Sequence, residues 1–86
     1  MFYSADARSE LLSDIDRLHT TELGVLRIRR NLGLNDDTDA VVRCREIILN
    51  KNSAVERKGK NYYVSFPGGI ITVNAGSMTI ITAKKI

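Results

Sequence analysis

The last third of the chain, residues 58–86, constrains the fold most strongly because its apolar and turn residues recur at the spacing of β-hairpins. Two turn segments, Pro67-Gly68-Gly69 and Ala75-Gly76-Ser77, separate three runs rich in β-branched and aromatic residues. These runs predict a three-stranded antiparallel meander, with its last two strands at about residues 70–75 and 78–83. Residues 54–57 form a candidate fourth strand, and Gly59 suits the bend that follows it.

The last two predicted strands carry large apolar side chains at successive positions, so both of their faces are expected to be apolar. These side chains are Ile70, Ile71, Val73, Met78, Ile80 and Ile81. Because a layer of short helices can cover only one face of a sheet, we expect a partner or a second copy of the chain to cover the other.

The first half of the chain has the apolar spacing of helices. From Ser9 onward, the apolar residues keep the i, i+3, i+4 spacing of one buried stripe, namely Leu11, Leu12, Ile15 and Leu18. Thr20 or Thr21 is expected to cap a second helix, which ends at Gly33. A third helix follows residues 35–38 and ends near residues 50–53. Helices followed by strands predict an α+β fold, with three helices packed on a three- to four-stranded antiparallel meander.

Length and composition limit the classes of protein that are compatible with this chain. Its 86 residues suit one compact domain, with residues 1–8 expected to be a loose N-terminal segment. No apolar run approaches the roughly 20 residues that span a bilayer, and the N-terminus lacks the pattern of a secretory signal. A single cysteine, Cys44, and a single imidazole, His19, cannot form a disulfide or a zinc site. We therefore expect a cytoplasmic protein with no membrane partner, no metal and no cofactor.

Charge is distributed unevenly between the two halves. Residues 1–50 carry seven arginines against nine acidic residues, whereas residues 51–86 carry six cationic residues against Glu56 alone. A cationic sheet half favours an anionic partner, nucleic acid above all, through phosphate attraction and counterion release. The alternative is a fringe of lysines that keeps the chain soluble and its strand edges unpaired.

Several motifs resemble a family of small bacterial proteins catalogued as a domain of unknown function. The motifs are Leu18-His-Thr-Thr-Glu-Leu-Gly24, Arg27-Ile28 with Asn31-Leu-Gly-Leu34, Glu56-Arg-Lys-Gly-Lys-Asn61, Ile71-Thr-Val-Asn-Ala75 and Ser77-Met-Thr-Ile-Ile-Thr-Ala83. The resemblance extends from about Leu11 to the end of the chain and implies a compact fold without an assigned activity. Tyr62 stands where that family has Trp, and Lys84 stands where relatives often have His.

Two sets of candidate functional residues follow from the sequence. The residues expected to contact a partner are Arg57, Lys58, Lys60, Tyr62, Lys84 and Lys85. A catalytic alternative uses His19, Lys60, Tyr62 and Lys84 as the acid, base and cations of a metal-independent ribonuclease, with Lys60 and Lys84 near neighbouring strand ends. For His19 we favour a structural role at the end of the first helix, since its neighbours in the motif suit helix capping.

The helical arginines suggest a third possibility, a helix-turn-helix that reads duplex DNA. The connection between the second and third helices carries Asp36, Asp37 and Asp39 at the place where phosphates would lie. We therefore expect the arginines to pair with these carboxylates instead.

The sequence thus favours a small non-enzymatic binding module that acts on a protein or nucleic acid through its cationic and apolar sheet side. Such a module would suit an inhibitor or adaptor from a phage or mobile element, and a homodimer through the sheet is a further expectation. The alternative is a toxin-like ribonuclease that uses the basic rim.

Overall fold

The computed structural model describes residues 7–86, in which three helices precede a four-stranded antiparallel sheet. The helices are α1 (Ala7–Ser13), α2 (Glu22–Leu32) and α3 (Ala40–Leu49), with one 3₁₀ turn at Ile15–Arg17. The strands are β1 (Ala54–Lys58), β2 (Asn61–Phe66), β3 (Gly69–Asn74) and β4 (Ile80–Lys85). The predicted α+β class and the order of helices before strands are confirmed.

The strands lie in sequence order, and each pairs antiparallel with the next. One row of opposed residues runs from Val64 to Ile71 and on to Ala83, and all three are buried. The neighbouring row runs from Glu56 through Tyr63 and Thr72 to Thr82 and points the other way. The helices therefore cover one face of the sheet, called here the covered face, and leave the other as the open face.

The core lies between the helices and the covered face. Completely buried side chains from both layers meet there, namely Leu11, Cys44, Ile48, Val64, Ile71, Val73 and Met78. Helix α2 packs along β4, the edge strand, and the Thr20 hydroxyl near its start donates to the Ile80 carbonyl over 3.0 Å. Burial of this apolar surface, at about 25 cal/mol per Å², is the main favourable term for so small a domain.

The helix ends follow the capping residues in the sequence. The Thr21 hydroxyl accepts the Gly24 amide over 3.0 Å at the start of α2, and Gly33 ends this helix with φ of 68°. Asp39 caps α3 by accepting the amides of Val41 and Val42. Helix α1 is shorter than the apolar stripe predicts, since Ser13 donates its hydroxyl to the Glu10 carbonyl and the chain continues as the 3₁₀ turn.

Strand β4 begins two residues later than predicted. The Asn74 side chain accepts the amides of Gly76 and Ser77, both over 2.9 Å, which closes a local turn. Met78 then adopts φ of 59° while its side chain stays fully buried. Thr79 pairs with His19 in a short parallel bridge, so residues 75–79 form a loop and the strand extends to Lys85.

The expected loose N-terminal segment, residues 1–8, lies mostly outside the described residues. Its last two members, Ala7 and Arg8, belong to α1. The Arg8 guanidinium donates to the Ser53 hydroxyl over 3.0 Å and to the carbonyls of Leu49 and Asn50. These contacts attach α1 to the connection between α3 and β1.

Candidate functional site

The open face of the sheet is a regular surface that the helices leave uncovered. Its outward residues from the four strands are Glu56, Lys58, Tyr63, Ser65, Ile70, Thr72, Thr82 and Lys84. Hydroxyl groups occupy its middle, and Thr72 is only 7% exposed because Tyr63 and Thr82 flank it. The prediction that both faces are apolar is therefore corrected, since Ile71, Val73, Met78 and Ile80 are all buried in the core and this face is mostly polar. Ile70 lies on it, and Ile81 lies at the register shift of β4, where it is 47% exposed.

A shallow depression of about 300 Å³ lies on the open face beside Tyr63. It is lined by Glu56, Lys58, Tyr63, Ser65 and Ile70. The carboxylate of Glu56 lies 3.6 Å from the Lys58 ammonium, and the Asn61 amide reaches the Tyr63 hydroxyl over 3.5 Å. This set offers one aromatic ring, one acceptor, one hydroxyl and one cation, which suits stacking and hydrogen bonding.

The lysines of the sheet half are spread over both ends of the sheet and both of its faces. Lys60 lies in the turn between β1 and β2, where its carbonyl accepts the Ala75 amide over 2.7 Å. Lys84 lies opposite Ile70, near the other end of β3. The expectation that Lys60 and Lys84 occupy neighbouring strand ends is therefore wrong, because β4 begins rather than ends beside the turn that holds Lys60.

Tyr62 lies in the core and not on the sheet rim, so the prediction that it contacts a partner is corrected. It is 4% exposed, and its hydroxyl donates to the Glu10 carboxylate over 3.0 Å. The Arg57 guanidinium lies 5.2 Å from the centre of its ring and also donates to Glu10. Burial, and after it the hydrogen bond and charge of Glu10, raises the pKa of Tyr62 above its ordinary value. This hydroxyl is occupied within the fold.

His19 makes the contact expected at the end of the first helical segment. Its Nδ1 donates to the Arg17 carbonyl over 2.8 Å, so the neutral ring accepts the Thr79 hydroxyl at Nε2 over 3.1 Å. The Thr79 hydroxyl in turn lies 2.7 Å from that of Ser77. The backbone of His19 also bonds to Met78 and Ile80, so this residue ties the connection before α2 to the loop before β4.

The four candidate catalytic residues do not converge on one site. His19 and Lys60 lie at the same end of the sheet, since Lys60 bonds to Ala75 in the loop that His19 contacts. Lys84 lies at the other end, and Tyr62 is in the core. A ribonuclease needs its acid, base and cations around one phosphate, and this arrangement does not supply them together.

Arg29 and Arg43 bind other groups than the carboxylates predicted for the helical arginines. Arg29 donates twice to the Thr38 carbonyl, over 3.0 and 2.9 Å, and Arg43 pairs with Glu46 at 3.3 Å. The Asp39 carboxylate is occupied as the cap of α3. Arg29 thus fastens the connection between α2 and α3 through a backbone carbonyl.

The side chains of residues 7–86 offer neither a group of metal ligands nor an exposed thiol. Within residues 7–86, no three His, Cys, Asp or Glu side chains are grouped so that they could hold a metal ion. Cys44 is completely buried on α3, and its burial raises the pKa of the thiol to about 12. Such a thiol is protonated at neutral pH, and Cys44 is a core residue, as predicted from its place on the apolar stripe.

Among the described helices, none has the length and apolar character needed to cross a bilayer.

Two residues at the centre of the open face, Tyr63 and Ser65, belong to neither set of candidate residues. The alternation along β2 already separates Tyr63 from Tyr62. Lys58 is also less free than expected, because Glu56 lies beside it on the same strand. The period of two along each strand is the signal that would have found this surface.

Comparison with known proteins places the chain in a family. The model of the family described as "Protein of unknown function (DUF3781)" matches residues 12–84, which is most of the chain. No curated protein and no solved structure matches it. The chain therefore belongs to the DUF3781 family.

Proposed function

We propose that this protein is a non-enzymatic binding module whose partner-contacting surface is the open face of the sheet, and that the partner is single-stranded nucleic acid. The observation that carries the proposal is the position of Tyr63, half-buried in the middle of an uncovered face with a lysine toward each end. Four-stranded sheets with aromatic residues on an open face bind unpaired bases by stacking. By binding in this way, the domain would act as an inhibitor or an adaptor of a larger protein assembly.

The depression beside Tyr63 has the chemistry to hold a base. A base stacked on the Tyr63 ring would place its edge near the Glu56 carboxylate and the Ser65 hydroxyl. Glu56 lies opposite this tyrosine on β1, and Ser65 lies two residues along β2. Glu56 accepts hydrogen bonds from base amino groups, whereas Ser65 both donates and accepts. Stacking on one aromatic ring contributes about 1–3 kcal/mol per base and is tolerant of sequence.

Two lysines provide charge for the phosphate backbone on either side of that base. Lys58 lies at the end of β1 and Lys84 near the end of β4, on opposite corners of the open face. Within the described residues, Lys84 makes no ion pair, whereas Lys58 is 3.6 Å from Glu56. An extended strand crossing the sheet diagonally would meet both cations, and each phosphate contact steepens the salt dependence of binding.

Fluorescence anisotropy with a short labelled RNA of mixed sequence tests the proposal. Tyr63→Ala should weaken binding about tenfold, because the stacking surface is removed. Tyr63→Phe keeps the ring and should bind as the wild type does. Lys84→Gln should weaken binding about fivefold at low salt and reduce the salt slope by about one unit.

Lys85→Gln is the matched control for Lys84→Gln. Both variants lose one positive charge, but Lys85 lies on the covered side of β4, so its loss should change affinity less than about twofold. Equal losses for the two variants would mean that only net charge matters and that the open face is not the site. An absence of binding to RNA and DNA at low salt would overturn the proposal and favour a protein partner. Sedimentation across a concentration series then tests whether that partner is a second copy.

A further inference from the structure

A groove lies on the covered side of the molecule, at the end of the sheet away from the His19 bridge. It consists of two adjoining depressions of about 300 and 180 Å³, which share Arg43, Ile47, Phe66 and Gly68 as lining residues. Together they are called here the end groove. Its walls are the second half of α3, the turn between β2 and β3, and the end of α2. Their combined size reaches the lower part of the range of about 300–1,000 Å³ typical of small-molecule sites.

The smaller depression combines apolar walls with positive charge. Leu32, Leu34, Ile47 and Phe66 provide its apolar surface, and Arg43 and Lys85 are the charged residues in its lining. No acidic residue lines this part. Glu46 lines only the larger depression, where it pairs with Arg43 at 3.3 Å. A ligand that matches this surface has an apolar body and a single anionic group directed toward Lys85.

The end of α2 positions the Lys85 side chain at the wall of the groove. Gly33 ends this helix in the left-handed conformation, and Lys85 Nζ lies 3.3 Å from the point that a Cβ on Gly33 would occupy. The carbonyl end of a helix carries partial negative charge, which favours an ammonium group there. Lys85 lines the smaller depression together with Leu32 and Leu34, and its side chain is exposed.

We propose that the end groove binds a small amphiphilic carboxylate, with its hydrocarbon part on Phe66 and Ile47 and its carboxylate at Lys85. The smaller depression carries this assignment because it joins apolar walls to the ammonium group of Lys85, whereas the charge of Arg43 is already paired with Glu46. The site is separate from the open face and does not depend on the nucleic acid proposal. Adjacent lysines on β4 serve the two sites, because Lys84 and Lys85 point to opposite faces.

Titration of ¹⁵N-labelled protein with octanoate, followed by amide chemical shifts, tests this proposal. Saturable shifts are expected for the amides of Leu34, Ile47 and Gly68, which line the groove. Octanamide has the same chain without the charge and should bind about fivefold more weakly, as expected for the loss of one solvent-accessible ion pair. This comparison uses the wild-type protein alone and needs no variant to fold.

Two variants then locate the charge that discriminates between the ligands. Lys85→Gln should abolish the difference in affinity between octanoate and octanamide, whereas Lys84→Gln should preserve it. Both side chains are exposed, so both proteins should give the spectrum of a folded domain. The proposal is overturned if octanoate shifts are not saturable, if octanamide binds equally well, if the shifts centre on Tyr63 and Thr72, or if the two lysine variants behave alike.

Discussion

The two faces of the sheet differ in what they contain, although they are built from the same four strands. On the covered face, Val64, Ile71 and Val73 are completely buried beneath the helices. On the open face, the residues beside them are Ser65, Ile70 and Thr72. Ser65 and Thr72 carry hydroxyl groups, and Ser65 and Ile70 are more exposed than their covered neighbours. Stability is therefore concentrated on one face, and the other is free to contact a partner.

Adjacent residues of like chemistry are divided between the faces by the alternation of the strands. Tyr62 is in the core and Tyr63 is on the open face, and Lys85 lies toward the end groove while Lys84 does not. Each pair provides a substitution and its own control at nearly the same place in the chain. The comparison of faces can thus be tested with pairs of identical mutations.

The largest difference is expected between Ile71→Ala and Ile70→Ala. Ile71 is completely buried, so its truncation should lower the free energy of unfolding by about 3 kcal/mol through lost burial and a residual cavity. Ile70 is partly exposed, and the same truncation there should cost about 1 kcal/mol or less. Urea denaturation followed by circular dichroism measures both. Equal losses would mean that something in solution covers the open face, and a dependence of the Ile70→Ala loss on protein concentration would identify it as a second copy.

The second prediction tests how well water is excluded from the covered side. Because burial raises the pKa of the Cys44 thiol from 9.0 to about 12, the folded state favours the protonated form. The stability contributed by this preference is complete below pH 9 and is lost as the pH rises toward 12. At pH 10 the wild type should have lost about 1 kcal/mol that Cys44→Ala does not lose.

Unfolding at pH 8 and pH 10 under reducing conditions measures this change for both proteins. Tyr62 also has a raised pKa, but it is present in both proteins, so its contribution cancels in the difference. A difference between wild type and Cys44→Ala that stays constant over this range would show that the thiol is hydrated in solution.

The fold could be predicted where local chemistry is sufficient. The Thr21 cap, the left-handed Gly33 and the Asn74 turn each depend on a side chain and the backbone within a few residues of it. The period of two likewise places Tyr62 with Val64, which is a covered residue. The basic residues that precede Tyr62 favour a partner surface, whereas its alternation with Tyr63 places it on the covered face, where it lies.

The sites could not be predicted to the same extent because they depend on packing between distant segments. The end groove forms where α3 meets the turn between β2 and β3, and no local pattern indicates that contact. The late start of β4 has a similar cause, since Thr79 is held by His19, which is 60 residues away in sequence.

The third prediction concerns the His19 bridge, which belongs to neither face. His19→Ala removes the side-chain bonds to the Arg17 carbonyl and the Thr79 hydroxyl and should cost about 1 kcal/mol of stability. RNA binding at the open face should be unchanged, because neither of the two lost side-chain bonds involves a residue of the open face. Thermal melting and anisotropy measure the two effects, with Thr79→Val as the control that removes the same hydroxyl contact. RNA cleavage that disappears in a cooperatively melting His19→Ala variant would instead show that the protein is a ribonuclease.

The smallest effects are expected for another adjacent pair, Arg57 and Lys58, because both carry surface charges. Arg57 bonds to Glu10 at 3.0 Å with both side chains 41% exposed, and it also stacks on Tyr62. Arg57→Gln should therefore cost about 0.5–1 kcal/mol, part of which salt should screen. Lys58 lies 3.6 Å from Glu56 with side chains 67% and 66% exposed, so Lys58→Gln should change stability by less than about 0.3 kcal/mol.

Urea unfolding at low salt and in concentrated NaCl measures both Arg57→Gln and Lys58→Gln. A Lys58→Gln loss as large as that of Arg57→Gln would mean that the pair with Glu56 stabilises the fold and is not available to a phosphate. A loss near zero for Lys58, together with weaker RNA binding by the same variant, would separate binding from stability at a single side chain. The open face would then be a surface whose charges the fold itself does not require.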